Sequence, residues 1–370
     1  MKSKTFWIVI AILIILAIVF IAIPDGNDTE DEYITFGWIT PLTGDGATIG
    51  QAMQVATQMS VDEINANGGI NGKKVKVIYE DGKCNSKDAA AAANKLINID
   101  KVKYIIGGAC SSETMGAAPL AEASKVLLFS PCSTAPAITD AGDYTFRIIP
   151  SDVYQAQYAA EFAYNTLGKK KVAVIACLSD WCVGLKGKFT NAFKELGGEI
   201  VASEDYEQTA KDLKTQLSKV QGANPDLIYF VGYTEASVVG LKQAKELGIN
   251  IQMLGADAWA DPKIWEDVGN AGEGVLIVHP LTKNPEEFVA KMKAKGSSAE
   301  LYTTQAYDVP KILAQQIAKV GEDPTTVKDS LYIMPIYPGV GGDVKFDKNG
   351  DVEGAAYKVD VVKGGKFVEY

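Results

Sequence analysis

Hydrophobic positions along this chain change period many times. Short apolar runs rich in β-branched residues alternate with longer segments in which apolar residues recur every three or four positions. The first kind predicts strands at "YITFGWIT" (33–40), 73–81, 102–108 and 126–131. The second predicts helices at 50–69, 86–98 and 114–124. Beyond Pro150 the alternation restarts, with helices at 152–168, 184–198, 210–222 and 235–248 and strands at 170–177, 199–206, 225–232 and 251–257. Strands alternating with helices imply βαβ units and parallel sheets, so the expected fold class is α/β with two doubly wound lobes. A strand at 274–280, helices at 286–295 and 303–320 and a β-rich tail are too little for a third domain. They are expected to complete the two lobes, with residues 33–148 and about 281–333 in the first and 149–280 and about 334–370 in the second. Loops at the carboxyl ends of both sets of strands would then face one cleft, the usual ligand site of open α/β sheets.

One stretch breaks the pattern. "FWIVIAILIILAIVFIAI" (6–23) is 18 consecutive apolar residues, which as a helix at about 1.5 Å per residue measures about 27 Å, near the thickness of a bilayer core. Lys2 and Lys4 precede it and the acidic "DGNDTEDE" follows, so residues 1–5 are expected in the cytoplasm, 6–23 as a membrane anchor, 24–32 as an acidic linker and the remainder outside. A cleaved signal peptide is the rival reading, but "IAIPDG" is a poor cleavage site.

Charge narrows the function. The net charge of −10 argues against nucleic acid, whose binding needs a basic surface. Five cysteines (84, 110, 132, 177 and 182) would lie on the oxidising side, where disulfides persist. With no CxxC pair and a single histidine, His279, neither a metal site nor a cofactor is expected.

The catalytic motifs fail one by one. "GDGATIG" (44–50) is one residue too long for GxGxxG, and "GGINGKK" (68–74) lacks the hydroxyl of a phosphate loop. There is no GxSxG elbow, and "DKNGDVEG" (347–354) reads as a polar turn rather than a calcium loop. Two hydroxyl-rich junctions remain. In "GGACSSET", Ser111 and Ser112 sit where helix caps sit, and "SPCSTAPAIT" repeats the device with Ser133 and Thr134. Hydroxyls and backbone N–H groups at helix starts can hold an anion, or simply cap the helices. In the second lobe, Tyr233, Asp257 and Trp259 fall just past strand ends, and a carboxylate beside aromatics suits an ammonium group. Anion grip on one lobe and cation grip on the other describe a zwitterion.

From about Tyr33 onward the chain resembles the leucine/isoleucine/valine-binding family of type I periplasmic binding proteins, the receptors of branched-chain amino-acid ABC importers. The matching stretches are "GWITPLTGDGATIGQ", "EINANGGINGKKV", "VIYEDGKCNSKDAAAAANKLI", "YIIGGACSSET", "LLFSPCSTAPAIT" and "YFVGYTEASVVGLKQAKELG". The resemblance implies a two-lobed, non-enzymatic receptor, monomeric, that closes on an amino acid and delivers it to ABC permease subunits on the outer face of the membrane. It implies that Ser111, a backbone N–H of Ser133, and Thr134 bind the carboxylate, with Thr134 also reaching the ammonium group. It implies further that Asp257 binds the ammonium group, and that Trp181, Tyr233 and Tyr307 line the pocket. A first-lobe aromatic of the family is replaced by Ile49. The family's first-lobe disulfide corresponds to Cys84 and Cys110; Cys177 and Cys182 could form a second, leaving Cys132 free. A sensory ectodomain, or a receptor for an amide, urea or short peptide, is the alternative reading. Ser112 is expected to cap its helix.

Overall fold

The computed structural model describes residues 32–299 and 301–370. Its first sheet is parallel, in the order β2-β1-β3-β4-β5. The strands are β1 (Tyr33–Thr40), β2 (Lys74–Asp81), β3 (Tyr104–Gly107), β4 (Leu127–Ser130) and β5 (Thr145–Arg147). Every residue of β3 and β4 is buried, as central strands covered on both faces must be, and this is why those runs show no polar alternation. Helices α1 (Ala47–Ala66), α2 (Ser86–Asn98) and α3 (Ser111–Ser124) connect the strands. Asn85 starts α2 by accepting the Asp88 N–H at 2.9 Å, an ordinary side-chain cap.

The second sheet runs β14-β13-β10-β9-β8-β6-β7. Its strands are β6 (Lys171–Cys177), β7 (Glu199–Tyr206), β8 (Leu227–Val231), β9 (Gln252–Gly255), β10 (Leu276–Pro280), β13 (Tyr357–Lys363) and β14 (Lys366–Glu369). The first five are parallel, and the last two add an antiparallel edge. Around it lie α4 (Asp152–Glu161), α5 (Asp180–Glu195), α6 (Lys214–Gly222), α7 (Thr234–Glu246) and α8 (Pro262–Val268).

Three helices from the last quarter of the chain, α9 (Glu286–Ala294), α10 (Thr303–Val320) and α11 (Pro324–Tyr332), return to the first sheet. Their Phe288, Ile312, Leu313 and Val327 share a core with Phe36, Trp38, Phe129 and Phe146. The opposite face of that sheet packs Ile105 and Leu128 against the alanines of α2 and α3, so small residues let these helices lie close. The chain passes between the sheets at 148–151, at 280–283 and finally at 354–356, where Leu281 N–H donates to the Ala356 carbonyl at 2.8 Å. The last passage comes later than the expected position 334. Met334, Val344, Phe346 and Val352 are buried in the first core, and the short strands β11 (Tyr337–Gly339) and β12 (Gly342–Val344) lie between.

Three helices begin three or more residues earlier than their apolar pattern suggested, α1 at Ala47 among them. α3 starts at Ser111 and α5 at Asp180, because the Ser179 hydroxyl accepts the Cys182 N–H at 3.2 Å and caps a first turn whose residues carry little periodic signal. The expected anchor, 6–23, lies outside the described residues. Among the described residues no helix is long and apolar enough to cross a membrane.

Candidate ligand-binding cleft

Carboxyl ends of strands from both sheets converge on one cavity. Ser111, Thr134, Trp181, Tyr233 and Asp257 line it together with Pro41, Gly46, Ile49, Cys132 and Tyr302.

The first side is built on a glycine. A Cβ on Gly108 would lie 2.2 Å from the Glu113 Cβ, so only glycine lets β3 end against the first turn of α3. Glu113 is completely buried and its carboxylate accepts the N–H groups of Ala109, Cys110 and Cys84 at 3.0, 3.0 and 3.1 Å. Burial pushes this carboxyl up to about 7 despite those bonds. Cys110 is disulfide-bonded to Cys84, so Ser111 leaves a turn pinned by both a covalent bond and a buried acid. The helix cap is Cys110, and both serines fall in the first turn. Ser112 therefore does not cap its helix: its hydroxyl accepts the Asp180 N–H from the second side at 3.3 Å. The Ser111 hydroxyl accepts the Ala135 N–H at 3.1 Å, which ties the two hydroxyl junctions together.

Thr134 is held by Arg147. That guanidinium is fully buried, donates to the carbonyls of Thr134 and Ala135 at 2.9 and 2.8 Å, and pairs with Asp351 at 2.6 Å. Removing one partner of such a pair costs about 3–5 kcal/mol. Ser133 does not line the cavity. Its N–H donates to the Ser130 hydroxyl at 2.9 Å and its hydroxyl to the Gly108 carbonyl at 2.9 Å, so it braces the junction from behind.

The second side carries the charge. Asp257 is buried at the end of β9, accepting the Gln155 amide N–H at 2.9 Å and the Tyr302 hydroxyl. Asp152, three residues before Gln155 on one face of α4, is fully buried. Neither of its oxygens has a hydrogen bond of normal geometry among the described residues, although the Thr134 hydroxyl lies near. Burial and the Asp257 charge hold the Asp152 carboxyl well above its usual range, and burial also raises Asp257. The Trp181 ring lies 4.8 Å from that of Tyr233, and its indole N–H is buried without a partner among the described residues. Cys177 and Cys182 are disulfide-bonded around Trp181. Cys132 is a free thiol on the cavity wall, pushed well up by burial and by the surrounding acids.

Tyr307 lies elsewhere. Its ring packs on Phe288 within the first core, and its hydroxyl donates to Glu63. The aromatic of this helix that reaches the cavity is Tyr302, just before α10, with φ of 72°, a left-handed conformation unusual for a bulky residue. Sequence reading also passed over Asp152 and Gln155. Their spacing of three on the helix after Pro150 was the available signal.

A sequence profile described as "Periplasmic binding protein" matches residues 33–366. The chain belongs to the periplasmic binding protein family. A leucine-, isoleucine-, valine-, threonine- and alanine-binding protein of Pseudomonas aeruginosa is 29% identical over 326 residues, covering 86% of this chain and 87% of that protein. Among solved structures, a leucine-binding protein of Thermotoga maritima matches with a TM-score of 0.84 at 29% identity, covering 91% of this chain and 97% of the other. A branched-chain amino acid transporter substrate-binding protein of Streptococcus pneumoniae, solved with isoleucine, matches with a TM-score of 0.82 at 26% identity, covering 90% and 97%. The resemblance to the leucine/isoleucine/valine-binding proteins read from the sequence therefore holds. The family comprises substrate-binding proteins of transport, so the chain is not an enzyme.

Proposed function

We propose that this periplasmic binding protein is an extracytoplasmic receptor for a neutral L-amino acid, foremost a branched-chain one, which it delivers to an ABC importer. The observation that carries the reading is the polarity of the cavity. Hydroxyls at the start of α3 and at the Thr134 junction stand on one side; on the other stands the buried Asp257, with Asp152, whose oxygens have no hydrogen bond of normal geometry among the described residues, behind it. Buried acids need a cation, and an α-ammonium group supplies one while the α-carboxylate meets the hydroxyls. Ser111 and Thr134 take the carboxylate, Asp257 with Asp152 the ammonium group, and Trp181 and Tyr233 cover the ligand. Pro41, Ile49 and Tyr302 face its side chain with apolar surface, which suits an aliphatic group. Leucine, isoleucine and related amino acids named for the relatives point the same way.

In this reading the ligand bridges the two lobes and favours the closed form by its differential affinity for it. The receptor acts as a monomer, tethered through residues 6–23, with the permease as its partner. A thermal-shift screen of the twenty standard L-amino acids tests the proposal. Leucine, isoleucine or valine is expected to give the largest stabilisation. Stabilisation by none of the twenty rejects it.

A further inference from the structure

The loop that follows β1 reaches across the cleft. Asp45 belongs to the first lobe: the Leu42 N–H donates to Asp81 at 2.9 Å and the Thr43 hydroxyl bonds the same carboxylate, fixing residues 42–43 to the end of β2. Yet the partners of Asp45 belong to the second lobe. One carboxylate oxygen accepts the Glu235 N–H at 3.3 Å and the other the Gln208 amide N–H at 3.4 Å. Glu235 is in the first turn of α7, and Gln208 lies in the loop after β7. Tyr233, the cap residue of α7, gives that helix no side-chain cap. Asp45 supplies the missing acceptor from the opposite lobe, at the end where the helix dipole favours negative charge.

The same loop touches the cavity. Gly46 lines it, and a Cβ there would lie 3.7 Å from the Cys110 sulfur and 3.9 Å from that of Cys84, so the loop rests on the disulfide. Asp45 is 7% exposed. Burial pushes its carboxyl up to about 6, the Glu235 N–H and Gln208 pull it down, the Glu235 carboxylate raises it and Lys211 lowers it. At neutral pH the ionised, strongly accepting form therefore predominates on the helix end. Lys211 pairs with the Glu235 carboxylate and so moderates the like charge nearest the contact.

We infer that Asp45 is an interlobe latch, a positioning residue that caps α7 in trans only when the cleft is closed and thereby slows ligand release. It touches no ligand in this reading. It holds the end of α7, and with it the Tyr233 ring, over the cavity. The inference rests on the closing-receptor function proposed above. It adds a residue whose contacts are made only by bringing the lobes together.

The test is a kinetic split with L-leucine as probe, using stopped-flow tryptophan fluorescence on the full chain. Asp45→Ala is expected to raise koff about fivefold and leave kon unchanged, because encounter with the open cleft precedes the latch. A koff within twofold of wild type, or a fall in kon with koff constant, overturns the latch. Should Asp45→Ala melt early, Gln208→Ala removes a partner from the other lobe and is held to the same criterion. A second arm is read with ligand bound: in the presence of the amino acid that gives the largest thermal shift, hydrogen exchange at the Glu235 amide is expected to quicken in Asp45→Ala, and unchanged exchange overturns the latch. If wild type fails to bind leucine, the branched-chain reading falls, while the exchange arm, run with whichever amino acid stabilises the protein, still decides the latch.

Discussion

On the first-lobe side the cavity meets hydroxyls whose surroundings are already bonded: Ser111 to Ala135, Thr134 through Arg147, and the turn beneath them through Glu113. The second-lobe side presents Asp257, Asp152 behind it, and an indole N–H with no partner among the described residues. In the proposed reading the first side is a finished framework for an anion, and the second holds buried acids that a ligand's cation would compensate. The contrast teaches where the binding energy and the rigidity reside. Rigidity belongs to the disulfide-pinned hydroxyl junctions, and in the function proposed above the strongest single ligand interaction belongs to the acids.

Each side has its own disulfide, and their spans differ. Cys84–Cys110 encloses a separation of 26 residues and Cys177–Cys182 one of 5. In the loop-entropy model these contribute about 3.5 and about 2 kcal/mol. Replacing each pair by serines should therefore lower denaturant stability more on the first side, and an equal loss would remove that part of the contrast. Next in size is the charge. Asp257→Ala should weaken leucine binding about 100-fold in isothermal titration, against about tenfold for Thr134→Val, since charge-assisted bonds are the stronger ones. A reversed order would place the dominant grip on the hydroxyl side. Trp181→Phe keeps an aromatic ring, though a smaller one, and deletes the N–H; about a threefold loss of affinity is expected if the ligand satisfies that donor.

The smallest effect is on pH. Burial raises Glu113 to about 7, and Asp45 and Asp308, the latter buried within α10, to about 6. A raised acid binds its proton more tightly in the folded chain, so its contribution is complete below the unfolded value and is lost as pH rises through the folded one. Glu63 has the opposite sign: burial alone would raise it, but Lys311, Tyr307 and Lys291 hold it at about 2, so its contribution stays constant above pH 5. The melting temperature is therefore expected to fall by a few degrees between pH 5 and pH 8. A rise over that interval would contradict the upward shifts of these buried carboxyls.

Much of this was legible in the sequence. The alternation of strand and helix gave the α/β class, because parallel strands buried on both faces read as uninterrupted apolar runs such as "YIIG". Ser111, Thr134, Trp181, Tyr233 and Asp257 follow or flank strand ends, and topology alone brings strand ends to one cleft. What sequence could not show was orientation. Ser133 and Thr134 are adjacent, yet one turns behind the junction and the other faces the cavity. Tyr302 and Tyr307 flank the start of one helix, and only the left-handed backbone at Tyr302 brings its ring to Asp257. Asp45, in a glycine-flanked loop, looks like a solvated turn residue until the second lobe is placed against it.

The central claim is that the two sides together grip a zwitterion. Isothermal titration of L-leucine beside 4-methylpentanoate, the same molecule without its ammonium group, tests it most directly. Leucine is expected to bind and 4-methylpentanoate to bind at least about 100-fold more weakly, because Asp257 and Asp152 would be left buried without a cation. Equal affinity for the two would contradict the account.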